Sequence, residues 1–429
     1  MEDTGQKELV GKIYNSIFAP VLLDFVEWVL EEAQKQGIKR LYFLARDGYQ
    51  MYLAAQQLCE TRGLAVECRY LYGSRYAWRM PQFALIGEAC LEKLCLGGID
   101  VTFEKVMRRG GLTAEEAATV AKELGFEKDY RRILSYSEVQ QLKKPLAESK
   151  YFLSYVYEHS ENAYETTIRY LRQEGLFENI PYALVDSGWS GSMQQTLAEL
   201  LQHTGNRKQI VGFYFGLYEL PSGVNRENYH TFYFGPDYGM KQKVYFSNCL
   251  FEAVFSAPHG MTVGYEAYDD GAETPKYRPV FYNKHNLNQS RMEQEEVWLK
   301  ESLENYTDAD RTCCSKKERA EHTYSLLKRF MGSPTAEEAG CYGNLLFSDD
   351  VTEEQVQCVA AELRKEDIRN QYVWNRIAIM LGLKKQVLKD SAWIEGSVVM
   401  AKGCYLWQMA NVRCYKYLIY FRKWLKRGR

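Results

Sequence analysis

The chain has 429 residues, 46% hydrophobic and 26% charged, with a formal net charge of −2. That length favours two domains, or one with a large insertion, and the near-neutral charge excludes a chain-wide polyanion binder, so nucleic acid is not an expected partner. The 11 cysteines form no CxxC pair, no run of about 18 uninterrupted apolar residues occurs, and the start MEDTGQKELVGK is polar; reduced thiols in a cytoplasm are the expectation. In chain order, apolar Phe18, Val21, Leu22, Phe25, Val26 and Val29 predict a helix over 18–36, ended by Gly37. The aromatic run at 39–45 predicts a buried strand. Arg46-Asp47-Gly48 follows, then a helix over about 49–60 and an alternating strand over 66–72 closed by Gly73-Ser74-Arg75. This β-α-β unit argues for a parallel sheet with right-handed crossovers.

From about 79 to 179 the spacing is helical, with segments at 85–96, 103–109, 113–124 and 151–176, and reads as an insertion between strands. The α/β pattern returns with a strand at 181–185, a helix at 193–203 and a strand at 210–217. Short strand-like pieces between 229 and 282 suggest a sheet edge. Beyond 285 the pattern is helical again, at 287–305, 315–331, 352–364 and 367–384. The expected fold class is therefore α/β, a mostly parallel Rossmann-like sheet over 1–285 with a helical insertion. An all-helical C-terminal domain over 286–429 would follow it.

The stretch VDSGWSGSMQQTL, 185–197, carries the strongest chemical signal. Asp186 stands where a buried strand ends, Gly188 and Gly191 free the backbone to approach a ligand, and Ser187, Ser190 and Ser192 add hydroxyls. A helix starting near Met193 would aim its N-terminus at the same point, which suits a phosphate. The plainer alternative is a tight strand-to-helix turn with a serine cap. Arg46 suits a phosphate or carboxylate, or braces its own loop; Asp47 suits a metal, a proton-transfer role or a helix cap. Ser74 and Arg75 should lie beside Arg46. Glu252, inside an apolar helix, is a candidate acid or base that could instead pair with Arg46 or Arg75. His259, in Pro258-His259-Gly260, is a weaker candidate of the same kind. Asp308-Ala309-Asp310-Arg311-Thr312 has the letters of a phosphatase nucleophile motif but follows a helix end, not a strand. No GxGxxG, GxxxxGK[ST] or HExxH occurs.

The last 26 residues, CYLWQMANVRCYKYLIYFRKWLKRGR, carry Arg413, Lys416, Arg422, Lys423, Lys426, Arg427 and Arg429 among aromatic and aliphatic residues, with no acid after Glu395. Such a helix suits an anionic membrane surface through 404–429, or the outer face of a terminal helix.

Two resemblances follow from these motifs. The 185–192 loop is similar to the phosphate loop of type I phosphoribosyltransferases. Asp186 matches that family's first acidic position, and Ser187 stands where a second acid is expected. Ser190-Gly191-Ser192 replaces the Thr-Gly element, and Arg46-Asp47-Gly48 lies where a diphosphate loop is found; the resemblance implies Mg²⁺. FLARDGY, YLYGSR, VDSGWSGSMQ and FSAPHG, in this order, resemble a region of predicted haloacid-dehalogenase (HAD) superfamily hydrolases from bacterial surface-polysaccharide gene clusters. That region follows the HAD domain, which has no counterpart here; the similarity spans most of 10–285 and, more loosely, 340–352. It implies glycan assembly at the cytoplasmic face of a membrane. The leading expectation is an enzyme acting on a phosphorylated sugar or nucleotide sugar. Asp47, Glu252 and Asp186 would do the chemistry; Arg46, Gly48, Ser74, Arg75, Ser187, Gly188, Ser190, Gly191 and Ser192 would bind the ligand. A phosphatase-type hydrolase is one alternative. A scaffold for glycan-pathway enzymes is another, and would leave the Arg46 and Asp186 loops apart or filled by their own salt bridges.

Overall fold

The structure, a computed structural model, describes residues 4–98, 100–269, 271, 275–306, 315–348, 356–380, 383–384, 389, 391–401 and 405–427. The phosphatase-like letters at 308–312 lie outside them, as does the end of the 340–352 similarity.

Strands β1 (Arg40–Leu44), β2 (Glu67–Leu71), β3 (Tyr182–Trp189), β4 (Val211–Leu217) and β5 (Tyr229–Phe234) form one parallel sheet in the order β2-β1-β3-β4-β5. This is the expected α/β class. Alternation along each strand feeds both faces. Leu41, Phe43, Ala183, Val185, Phe213 and Phe215 pack with helix Ala19–Lys35 on one side. Tyr42, Leu44, Tyr182 and Leu184 pack with helices Phe152–Gln173 and Ser192–His203 on the other. Each large apolar side chain buried this way contributes roughly 2–3 kcal/mol. The N-terminal stretch Gly5–Lys35 is long and apolar enough to cross a membrane by length and composition, and 67% of that window is buried inside the protein.

Chain order reverses between β1 and β3: one connection leads outward to β2, and the next returns across β1. In open parallel sheets a crevice opens at this switch, outside the carboxyl ends of the strands. Register fixes what meets there. Phe43 pairs with Val185 and Leu44 with Leu71, so Arg46-Asp47, Gly73-Ser74 and Asp186-Ser187 emerge at one level.

The connection from β2 to β3 is the expected helical insertion. Met80, Phe83, Leu91, Leu94, Val106, Val120 and Val156 give it a hydrophobic core of its own. The helix expected over 85–96 splits at Gly87 into Phe83–Ile86 and Cys90–Leu94, joined by a 3₁₀ turn. Between 229 and 282, β5 is the sheet edge, whereas β6 (Thr262–Tyr268) and β7 (Lys276–Phe281) form a separate antiparallel hairpin.

The chain beyond 285 is mainly helical, but its helices share the sheet's core. Leu299, Phe330, Tyr342 and Trp393 belong to the same buried cluster as Phe18 and Phe215. Helices beyond 285 thus cover one face of the sheet, while Val398, Met409 and Val412 form a small cluster of their own. In place of the helix expected over 352–364, the described residues hold the short strand β9 (Gln357–Cys358), paired with β8 (Leu346–Phe347).

Candidate functional site

At the switch point lies a cavity of about 290 Å³. Its floor comes from the sheet: Arg46 and Asp47 after β1, Ser74 and Arg75 after β2, and Asp186, Ser187, Gly188 and Trp189 within β3. The sequence placed Asp186 to Ser192 in a loop. The strand instead runs on to Trp189, because β4 continues to pair with it through Gly188 and Trp189 after β1 has ended. Gly188 sits at φ 110°, and a Cβ there would meet the carbonyl of Gly216, so this bend requires glycine. Ser190 and Ser192 line the cavity beside the first turn of helix Ser192–His203, and the Ser190 hydroxyl donates to Ser192 Oγ at 3.2 Å. Gly48 and Gly191 are not among the lining residues; they shape the backbone behind it.

Three carboxyls converge. Glu252 enters from helix Asn248–Val254 and accepts a hydrogen bond from Trp189 Nε1; Asp47 accepts one from Ser187 Oγ. Burial, and then the Asp47 charge, push Glu252 up to about 7, against the pull of Arg75. Burial raises Asp47 as well, opposed by Ser187, Arg46 and Arg75. Asp186 is raised well above the carboxylate range by burial and by Asp47 and Glu252. Burial and mutual repulsion thus oppose ionising all three together, and Ser187, Arg46 and Arg75 offset part of that cost.

The opposite wall is basic, and the sequence reading missed most of it. Arg79, Lys93 and Arg109 line the cavity from three helical segments of the insertion. Two are tied down: Arg109 donates to the carbonyls of Leu94 (3.1 Å) and Leu96 (2.6 Å), and Lys93 to Gln82 Oε1 at 2.6 Å. Among the described residues, neither Arg75 nor Arg79 makes a hydrogen bond or an ion pair through its side chain. Burial and the charges of Arg75 and Arg109 push Arg79 down to about 10, still charged at neutral pH. At the other end of the sheet a structural arginine looks different. Arg40 is buried and paired with Glu67 at 2.5 Å and Glu178 at 2.9 Å. The only signal for the wall in the sequence was the spacing of Arg75 and Arg79, one helical turn apart.

Two further expectations change. The Ser74 hydroxyl caps helix Arg75–Arg79 by accepting from the Ala77 amide, and donates to the Thr262 carbonyl, so it is committed to local structure. His259 is not among the lining residues. Its ring sits against Tyr70 (Nε2 to hydroxyl 2.8 Å), Tyr72 and Phe281, and burial pushes it down to about 4. Among the described residues, no three His, Cys, Asp or Glu side chains close into a metal shell.

No family model and no curated protein matches this chain.

Proposed function

We propose that the chain is an enzyme that binds a phosphorylated sugar or nucleotide sugar, in the synthesis of a surface polysaccharide. One observation carries this reading: Arg75 and Arg79, without ion pairs among the described residues, line one cavity with Asp47, Asp186 and Glu252. A phosphoryl group would take up both guanidiniums and relieve their mutual repulsion. Ser190, Ser192 and the helix start beside them add donors on the same side. Glu252, titrating near pH 7, is suited to accept or give a proton at a sugar hydroxyl or a leaving oxygen. Asp47 is the residue best placed to share Mg²⁺ with a diphosphate. Transfer at a sugar carbon, in the manner of the phosphoribosyltransferases, uses all of these parts. The surface-polysaccharide setting rests on the four motifs that resemble the region following the HAD domain. The phosphatase alternative has in its favour an aspartate, Asp47, just after β1; Tyr49 stands where that chemistry would want a second acid.

The test is thermal denaturation with Mg²⁺ and, in turn, phosphoribosyl diphosphate, sugar phosphates, nucleotide sugars and inorganic phosphate. A ligand bound only to the native state at 100 times its Kd stabilises it by about 2.7 kcal/mol. The expected result is a rise with one phosphorylated sugar that disappears in Arg79→Ala and in Asp186→Asn. No rise with any of them at millimolar concentration rejects the reading.

A further inference from the structure

The last helix, Tyr405–Arg427, is 23 residues long, roughly 34 Å. One face is anchored. Met409 and Val412 are buried with Val398, Tyr420 stacks on Tyr218 at 5.9 Å, and Arg413 donates to the Gly332 carbonyl at 2.9 Å. Lys416 pairs at 2.5 Å with the buried carboxyl of Glu395.

The opposite face is apolar and exposed. Trp407, Ala410, Cys414, Leu418, Phe421 and Leu425 follow one another at intervals of three or four residues, forming a single stripe, and all are exposed. Trp407 is 64% exposed, Phe421 48% and Leu425 52%. A contiguous apolar stripe of this length marks an interaction surface. Charge selects the partner. Residues 396–429 hold eight of the chain's 54 basic residues and none of its 56 acidic ones, so the other 395 residues carry a net −10. Arg422 flanks the stripe and is exposed, and Lys423 is exposed on the Tyr420 side of the helix. A second copy of the helix would set basic flank against basic flank. An anionic bilayer complements both features, apolar side chains entering the acyl boundary and cations meeting the headgroups.

We propose that this face docks the protein on an anionic lipid surface. Tyr218 follows β4, and its amide donates to the Trp189 carbonyl at 2.8 Å. The helix therefore sits at the same sheet edge as the cavity, and docking brings that edge to the membrane. The inference is independent of what the cavity binds.

The test is co-sedimentation of the full chain with phosphatidylcholine vesicles, with and without one-third phosphatidylglycerol, alongside Trp407 fluorescence and light scattering. Expected are binding to the anionic vesicles only, its loss at high salt, and loss in Phe421→Glu/Leu425→Glu with an unchanged melting curve. Arg422→Glu, which leaves the stripe intact, should weaken partitioning at least about fivefold, a cation near the surface being worth roughly that much. No sedimentation with either vesicle overturns the proposal, as does equal binding to both. A dimer in solution that Phe421→Glu/Leu425→Glu breaks, without vesicle binding, assigns the stripe to a second copy instead.

Discussion

Replacing Glu252 by Gln isolates the cost of ionising the cavity floor. The carboxyl is moved from its ordinary 4.5 to about 7. Below pH 4.5 it is protonated whether the chain is folded or not, and it contributes no pH dependence. Between 4.5 and 7 the unfolded chain releases the proton while the folded one keeps it, so stability falls as pH rises. Above 7 the deficit is constant, at about 3 kcal/mol. Glutamine keeps the shape and an acceptor for Trp189 Nε1, and cannot ionise. Glu252→Gln should therefore match the wild type at pH 4.5 and exceed it by about 3 kcal/mol at pH 8. Urea unfolding of both proteins at the two pH values, followed by tryptophan fluorescence, reads the difference directly. A gain of equal size at both pH values, or a loss at pH 8, would refute the reasoning, because burial of a charge predicts neither.

Three further outcomes follow from the same geometry. Arg79→Ala should leave unliganded stability within about 1 kcal/mol of wild type, since the side chain makes no pair among the described residues; a larger loss by urea unfolding would show that it braces the insertion. Gly188→Ala should cost roughly 3 kcal/mol, from a φ of 110° and a Cβ driven into the Gly216 carbonyl, checked in the same assay. Ser187→Ala removes the hydroxyl that donates to Asp47, so it should cost about 1–2 kcal/mol, more at pH 8 than at pH 4, and raise the Asp47 titration followed by carboxyl NMR.

The sheet was legible because β1, β3 and β4 are largely buried and read as apolar runs, while the edge strand β2 showed itself by alternation. β1, β2 and β4 lie within two residues of their expected positions, β3 runs four residues longer, and β5 was foreseen only as one of several short pieces between 229 and 282. The acidic floor was legible for the same reason: Asp186 and Glu252 are carboxylates in apolar surroundings, and Asp47 interrupts a strand exit. The basic wall was not. Lys93 and Arg109 sit in short amphipathic helices where a cation is the ordinary outer-face residue, and only tertiary packing turns them inward. His259 erred the other way, looking exposed in a Pro-His-Gly loop while Tyr70, Tyr72 and Phe281 enclose it. The shared core of the later helices was hidden too, because a helix's apolar stripe does not say what it packs against.

The insertion has a hydrophobic core distinct from the one beneath the sheet. The acidic floor and the part of the basic wall that Lys93 and Arg109 supply thus belong to separate cores, whereas Arg75 and Arg79 stand on a helix whose Ala77 and Trp78 pack with the sheet. Changes in the insertion can reshape the basic wall, by moving or exchanging Lys93 or Arg109, while Asp47, Asp186 and Glu252 stay where the sheet and helix Asn248–Val254 hold them. The two sides of the cavity are in this way separable in inheritance: a lineage could exchange basic groups on the wall without rebuilding the acidic floor.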